Sequence, residues 1–323
     1  MTAVPTATGS VDSAELGRVL MHEHVFVLTP DVQHNHDEWH EDERVADAVK
    51  KLAALRAAGI DTIVDPTVIG LGRYIPRIVR VAEQVDINII VATGVYTYDT
   101  VPFYFHHRGP ALSPDLPDPM VDMFVRDLSD GIPGTDGVRA AFLKCAIDHF
   151  GMTRDVERIM RAVAQAHRQT GAPITVHTHA KSKTGLDAHR LLAEEGVDPT
   201  RVALGHSGDT TDADYLSELA DHGYLLGMDR FGIDTVAPFD ERVDIVVTMA
   251  QRGYADRMVL SHDASCHFDW IDPAFKPFLP NWHYLHITED VLPALLQRGV
   301  TQQQIDQMLV ANPRRYFENV AAY

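Results

Sequence analysis

The chain has 323 residues, of which 45% are hydrophobic and 23% charged, so it is long and apolar enough to bury a large core. Its 28 lysines and arginines against 46 aspartates and glutamates give a formal net charge of -18, which disfavours contact with a phosphate backbone, and we expect no nucleic-acid partner. No stretch has the pattern of a signal peptide or of a bilayer-spanning segment, so we expect a cytoplasmic protein without membrane association.

Apolar, strand-like runs alternate with longer helical patterns along the chain, which is typical of repeated βα units and a parallel sheet. Eight strands are predicted, over residues 19–23, 61–65, 87–93, 138–145, 173–178, 202–205, 224–228 and 258–261. No linker, repeat or low-complexity tract divides the sequence. We therefore expect one domain over residues 1–323.

Between the predicted strands, apolar residues recur at intervals of three and four, as on one face of a helix. One such face comprises Val45, Val49, Leu52 and Leu55 and stops at Gly59, and another comprises Val156, Ile159, Val163 and Ala166 between a Thr153 N-cap and Gly171. A Gly-rich phosphate-binding turn is missing after the first strand, which disfavours an open doubly wound sheet. The predicted fold is α/β, a closed (β/α)₈ TIM barrel.

In such a barrel the active site lies at the carboxyl ends of the strands. The first predicted strand ends in Met21-His22-Glu23-His24. Side chains alternate along a strand, so His22 and His24 are predicted to face the barrel axis and Glu23 the helix layer. Two imidazoles on one side can hold one metal ion, although an H-x-H pair alone is equally consistent with ordinary surface or core histidines.

Three later strand ends carry further metal-ligand side chains. The fifth predicted strand offers His177 or His179, which its spacing does not distinguish, and the sixth offers His206. The eighth ends in Asp263, which can bind a metal and carry a proton, although an aspartate after a strand is more often a helix cap. Together with the first strand, these residues predict a metal centre.

Lys144 lies at the end of the fourth predicted strand, in the apolar run Phe142-Leu143-Lys144-Cys145. A buried ammonium is costly, and lysine cannot bind a cation until it loses its proton. Addition of carbon dioxide to its amine would give a two-oxygen carbamate, which can bridge two divalent ions. A salt-bridged lysine and a Schiff-base lysine are the alternatives. Histidine and carboxylate sites accept zinc, cobalt, iron or manganese.

The ordered set of His22, His24, Lys144, His177, His206 and Asp263 resembles the phosphotriesterase family of the amidohydrolase superfamily, and especially its phosphotriesterase-like lactonase branch. The resemblance runs nearly end to end, through GRVLMHEH at residues 17–24, GVYTY at 94–98, PFYF at 102–105 and NPRRYF at 312–317. Residues 33–42 and 99–120 match no family motif with the same clarity.

The resemblance implies a ligand set for two divalent ions. His22, His24 and Asp263 would hold the more buried ion, and His177 and His206 the more exposed one. N6-carboxylated Lys144 and a hydroxide would bridge the two, and Lys144 and Asp263 would be the catalytic residues. Three residues would face the substrate, namely Tyr98, Arg230 and Trp270; a packed aromatic, a surface salt bridge and a loop anchor are their alternatives.

The resemblance also implies a reaction and an assembly state. The hydroxide would open a lactone, such as an N-acyl homoserine lactone or a related γ- or δ-lactone, and Asp263 would protonate the leaving alkoxide. Phosphotriester hydrolysis would be a weaker side activity. A phosphotriesterase or carboxylesterase is the alternative enzyme, and an inactive metal-stabilised binding protein is the alternative outside enzymes. The family's usual homodimer is expected.

Five further residues are predicted to have no role in the site. The acidic stretch at residues 33–42 contains His34, His36 and His40, which we interpret as surface residues rather than as another metal site. Cys145 and Cys266 are too few for a disulfide framework and lie in no C-x-x-C motif, so both are predicted to be buried thiols.

Overall fold

The computed structural model describes residues 2–36, 39–318 and 321–323. The strands are β1 (Ala3–Thr6), β2 (Gly9–Asp12), β3 (Val19–Leu20), β4 (His24–Val27), β5 (Thr62–Asp65), β6 (Asn88–Gly94), β7 (Phe142–Ile147), β8 (Ile174–Thr178), β9 (Val202–Gly205), β10 (Leu225–Met228), β11 (Met258–Leu260) and β12 (Ser265–Phe268). The α-helices are α1 (Pro30–Asn35), α2 (Glu41–Ala57), α3 (Ile75–Ala82), α4 (Pro119–Ser129), α5 (Arg154–Thr170), α6 (Thr184–Glu194), α7 (Ala213–His222), α8 (Phe239–Gln251), α9 (Leu292–Gln297), α10 (Gln302–Asp306) and α11 (Asn312–Glu318).

Eight strands, β3 and β5 to β11, pair in parallel and in chain order into a nearly closed barrel with helices between them. The predicted TIM barrel is therefore confirmed. Six predicted strands agree with the structure to within one residue; the fourth was placed too early, because β7 starts at Phe142 and continues to Ile147. No helix in the described part of the chain is long and apolar enough to cross a membrane.

Side chains alternate along the barrel strands, so the buried apolar residues form two separate cores. On β6, Ile90 and Ala92 belong to the cluster inside the barrel, whereas Ile89 and Val91 belong to the cluster between strands and helices. The inner cluster also contains Phe317 of α11, whose ring centroid lies 6.4 Å from that of Phe142. These large side chains fill the lower part of the barrel, below the charged and histidine side chains at the carboxyl ends of its strands.

Both helical faces predicted from periodicity are confirmed. In α2, Val45, Leu52 and Leu55 are buried. At the start of α5 the Thr153 hydroxyl accepts a hydrogen bond from the Val156 N–H at 3.3 Å. These faces pack on the outside of the barrel and hold its strand ends in fixed positions.

The first barrel strand differs from its prediction. It ends at Leu20, residues 21–23 are irregular, and the chain resumes as β4, which pairs in parallel with β12. The predicted strand over residues 19–23 is therefore wrong at its end. A hydrogen bond from the His24 N–H to the carbonyl of Ala264, at 2.8 Å, joins the segment after the first barrel strand to the segment after the last. The local sequence could not predict this pairing, because it depends on a segment 240 residues away.

Candidate metal centre

A cavity of about 230 Å³ lies at the carboxyl ends of the barrel strands. Its lining includes all nine predicted site residues: His22, His24, Tyr98, Lys144, His177, His206, Arg230, Asp263 and Trp270. A larger groove of about 910 Å³, beside the β1–β2 hairpin, contains none of them. The side chains that line the smaller cavity therefore identify it as the candidate site, even though the other groove has more volume.

Two histidine nitrogen atoms lie close to the carboxylate of Asp263. Its Oδ1 lies 3.2 Å from His24 Nε2 and 3.4 Å from His22 Nε2. Zinc bonds of about 2.0–2.1 Å in a tetrahedral site place neighbouring ligand atoms about 3.3 Å apart, so the spacing fits a shared ion. These three side chains form one of two groups of described residues whose ligand atoms all lie within 4.8 Å of one another.

A second pair of nitrogen atoms lies beside this cluster. His177 Nδ1 and His206 Nε2 are 2.9 Å apart, and Asp263 Oδ2 lies 3.9 Å from His206 Nε2. Two imidazoles are too few to hold a divalent ion without further ligands. Lys144 lines the same cavity, and its Nζ lies 3.4 Å from His22 Nε2 of the first cluster.

Lys144 is placed by the alternation of β7, two residues after the interior Phe142. It is only 1% exposed, and no carboxylate oxygen in the described part of the chain pairs with its amine. Burial lowers its pKa to about 8, against the opposing effect of nearby Asp263 and Asp229, so the amine can lose its proton. The strand fits closely here: Gly94 has φ 147°, and a Cβ on it would lie 1.8 Å from the Lys144 carbonyl.

Asp229 orients two of the histidines. Its Oδ2 bonds with Nδ1 of His22 at 2.8 Å, and its Oδ1 with Nδ1 of His206 at 2.9 Å. Asp229, His22 and His206 form the other group close enough to bind an ion. Because both carboxylate oxygens are already engaged, we interpret Asp229 as the partner that leaves the Nε2 atoms free to bind metal.

The other two histidines are also held through their outer nitrogen atoms. Nδ1 of His24 bonds with the Thr67 hydroxyl at 2.7 Å, and this hydroxyl donates to Asp65 at 2.5 Å. Nε2 of His177 bonds with the carboxylate of Asp148. Each ring therefore presents a defined nitrogen atom to the cavity.

The protonation states suit metal binding. Burial lowers the pKa of His177 to about 4 and also lowers that of His206, so both rings are neutral ligands at pH 7. Burial alone would lower the pKa of His24, but the carboxylates of Asp263 and Asp65 raise it to about 9. Burial alone would raise the pKa of Asp263, yet the surrounding histidines hold it well below its usual range. A divalent cation would replace the proton that these carboxylates stabilise on His24.

Two ligand positions adopt left-handed backbone conformations, with φ 65° at His206 and 54° at Asp263. Such a conformation costs about 1–3 kcal/mol in a residue with a side chain. Asp229 accepts a hydrogen bond from the His206 N–H at 2.7 Å. Glu23, which is fully buried, accepts from the N–H groups on both sides of Asp263, at 2.8 and 3.1 Å. These contacts hold the two candidate ligands, His206 and Asp263, in place.

The predicted substrate residues surround the entrance. Arg230 Nε donates to Asp263 Oδ2 at 3.0 Å. The hydroxyl of Tyr98 lies 2.8 Å from that of Tyr96, a residue that sequence reasoning missed. Trp270 is 42% exposed, and its ring centroid lies 6.0 Å from that of Tyr96. These side chains form the aromatic and cationic wall of the cavity.

The structure distinguishes the two histidines that end β8. His177 lies in the cavity, whereas the ring of His179 bonds with the Ser182 hydroxyl at 2.8 Å and is not part of the cavity lining. As predicted, His34, His36 and His40 are exposed, and Cys145 and Cys266 are buried free thiols.

Asp148 and Asp229 were missed by sequence reasoning, although a signal was present. Each is the first residue after a barrel strand, β7 and β10 respectively. A carboxylate directly after a barrel strand can orient a metal-binding histidine as well as bind the metal itself, and both residues have this position.

Comparisons with known proteins agree with this geometry. The model of the phosphotriesterase family matches residues 2–317. A solved structure of the phosphotriesterase from Mycobacterium tuberculosis is 57% identical, covers 99% of this chain and 100% of its own, and has a TM-score of 0.97. An aryldialkylphosphatase from Saccharolobus solfataricus is 39% identical over 95% of this chain and 97% of its own.

Another solved structure comes from the molecular engineering of organophosphate hydrolysis activity from a weak promiscuous lactonase template. It is 35% identical, covers 98% of this chain and 100% of its own, and has a TM-score of 0.89. Enzymes of the matched family use a binuclear divalent metal centre, and the clustered histidines and Asp263 fit one. The chain belongs to the phosphotriesterase family and is a metal-dependent ester hydrolase.

Proposed function

We propose that the chain, as one domain over residues 1–323, is a lactonase that uses two metal ions and hydrolyses aryl phosphotriesters more weakly. The observation that most supports this is the position of Tyr98, Arg230 and Trp270 around one small cavity that also holds both ligand groups. At about 230 Å³ the cavity is below the usual range of about 300–1,000 Å³ for ligand pockets and suits a compact ring. The lactonase template named above adds support.

We assign the ligands in two groups. His22, His24 and Asp263 would hold one ion, and His177 and His206 the other. N6-carboxylated Lys144 would complete both sites, because its buried amine has a lowered pKa and the second pair of histidines needs further ligands. The ions, zinc, cobalt, iron or manganese, would supply Lewis acidity toward the substrate carbonyl and lower the pKa of water.

The protein's own groups carry the proton and orient the substrate. Asp263 is ionised, so it can accept a proton from the attacking water and deliver it to the leaving alkoxide. Burial raises the pKa of Tyr98, which keeps its hydroxyl protonated and able to donate a hydrogen bond. Arg230 contacts Asp263 directly and provides positive charge beside the reacting carbonyl.

A phosphotriesterase is the second candidate, favoured by the aryldialkylphosphatase relative. The two reactions differ in their leaving groups. A lactone releases a basic alkoxide that needs a proton, whereas an aryl phosphotriester releases a stabilised phenolate. A proton carrier such as Asp263 therefore matters more for lactone opening.

The test is a panel of γ- and δ-lactones, N-acyl homoserine lactones, aryl esters and aryl phosphotriesters, assayed by proton or phenolate release on enzyme loaded with zinc or cobalt. We expect the highest kcat/KM with a lactone. Asp263→Asn should retain most of the metal and abolish lactone opening. Fast phosphotriester hydrolysis with no turnover of any lactone would overturn the proposal.

We also propose a homodimer, supported by exposed apolar side chains in residues 103–116. Phe103, Tyr104 and Leu112 are 78%, 54% and 66% exposed. Large exposed apolar side chains clustered in one segment are a usual feature of protein interfaces. Light scattering on the purified protein tests this, and a monomer at micromolar concentration would contradict it.

A further inference from the structure

A buried arginine, Arg242, lies behind the cavity, in the first turn of α8. It is 2% exposed and does not line the cavity. Its guanidinium donates to the Asp209 carboxylate at 2.7 Å and to the Gly208 carbonyl at 3.3 Å. It also donates to the carbonyls of Ala237 and Ile233, at 3.1 and 3.4 Å. All three of its nitrogen atoms are therefore used.

The carboxylate of Asp209 is shared between two arginines. Its Oδ1 accepts from Arg242, and its Oδ2 accepts from Arg230 at 3.0 Å. Arg230 in turn donates to Asp263 at 3.0 Å. Opposite charges thus alternate from Arg242 to Asp263, and removing Arg242 from this series leaves the Asp209 carboxylate with Arg230 as its one arginine partner among the described residues.

Arg242 also holds the loop that closes one side of the cavity. This loop, residues 229–238, connects β10 to α8 and contains Arg230, and Ile233 and Val236 from it line the cavity. Arg242 binds the carbonyl of Ile233 in the middle of the loop and that of Ala237 near its end. One side chain therefore fixes both a cavity wall and the partner of Arg230.

We propose that Arg242 is a positioning residue that aims the Arg230 guanidinium at Asp263 and sets the width of the substrate cavity. This inference rests on the proposed contact of Arg230 with substrate. Without Arg242, the carboxylate of Asp209 could accept Arg230 in other orientations, and the loop would lose two of its anchors. Arg242 itself touches neither the ligands nor the cavity.

A double-mutant cycle tests the proposal, with Arg242→Met, Arg230→Ala and the double variant assayed on whichever ester is hydrolysed fastest. If Arg242 acts through Arg230, Arg242→Met should lower kcat/KM about tenfold in the wild-type background and less than about twofold in the Arg230→Ala background. KM should rise as well, because the cavity wall moves. Arg242→Lys should recover part of the loss. Equal losses in both backgrounds would overturn the proposal.

Arg158 provides a matched control. This arginine of α5 also binds one carboxylate, that of Asp118 at 2.6 Å, and two carbonyls, those of Phe105 and Arg108, both at 3.0 Å, and it does not line the cavity. Arg158→Met should lower the melting temperature without any coupling to Arg230→Ala. The same coupling in this variant would show that the effect is general destabilisation.

A crystal structure of Arg242→Met supplies a readout that needs no activity. We expect the Arg230 guanidinium to leave Asp263 while metal content stays unchanged; an unmoved Arg230 would overturn the inference. A panel without lactone turnover would reject the proposed function, but the structure would still decide the role of Arg242. If Arg242→Met does not fold, Asp209→Asn replaces it in the cycle. This variant keeps the shape of the Asp209 side chain and removes the charge that Arg242 and Arg230 share, and it should show the same coupling to Arg230→Ala.

Discussion

Replacement of Asp229 by asparagine should weaken one metal ion selectively. Asp229 Oδ1 accepts two hydrogen bonds from His206, at 2.7 and 2.9 Å, and Oδ2 bonds with His22 Nδ1 at 2.8 Å. An asparagine has a single amide oxygen, and the two donors of His206 would keep it on their side. The amide NH₂ would then face His22 and require its Nδ1 to accept. The proton of that ring would move to Nε2, the atom that faces Asp263.

The expected loss of metal affinity follows from the role of the His22 ring as a metal ligand. Loss of a hydrogen-bond partner behind a metal-binding histidine costs about 10- to 100-fold in metal affinity, or about 1.4–2.8 kcal/mol. His22 would have the wrong tautomer, so the ion that it shares with His24 should show the upper end of this range. His206 keeps its acceptor, so the other ion should change little.

The assay is metal content and chelator competition on the purified variant. We expect two ions per chain in the wild type and one tightly bound ion in Asp229→Asn. Asp148→Asn is the matched control, because its amide would face His177 Nε2 and move a proton to Nδ1, the atom facing His206. That variant should lose the other ion. Wild-type affinity for both ions in Asp229→Asn, or equal loss of both, would refute the tautomer argument.

Further predictions concern the lysine, the barrel packing and pH. Enzyme labelled with ¹³C-bicarbonate should show a carbamate NMR signal that Lys144→Ala lacks. Gly94→Ala should abolish folding or sharply lower the melting temperature, because its Cβ would lie 1.8 Å from the Lys144 carbonyl; a wild-type melting temperature would contradict this. Burial lowers the pKa of His167 from 6.5, so the unfolded chain binds its proton more readily. The contribution of His167 to the free energy of unfolding should therefore be fully present above about pH 6.5 and decrease at lower pH. Urea titrations at several pH values measure this free energy, and His167→Gln should make it depend less on pH.

Alternation and the strand-end rule were sufficient to predict most of the barrel and which side chains line its cavity. Lys144 follows Phe142 by two residues, and His177 follows Thr175 by two, so both reach the interior as expected. His22 reaches the cavity for another reason, because the strand that was expected to carry it ends at Leu20. The contacts that place it come from Asp229 and from the Ser261 hydroxyl, to which its N–H donates at 2.8 Å. Such long-range contacts leave no local pattern in the sequence.

The tautomers of the ligands depend on these same long-range contacts. Whether a histidine offers Nδ1 or Nε2 depends on which nitrogen meets an outer partner. Asp229 leaves Nε2 of His22 and His206 available, whereas Asp148 leaves Nδ1 of His177. Each of these rings has a protein partner behind it, so contacts within the chain help to orient the rings. A zinc finger folds only on binding metal, whereas these contacts join residues of a barrel that has its own apolar core, and we expect the centre to be preorganised. Metal-free protein should therefore keep the barrel's far-ultraviolet circular dichroism spectrum and regain full activity on adding the ions, without a refolding phase.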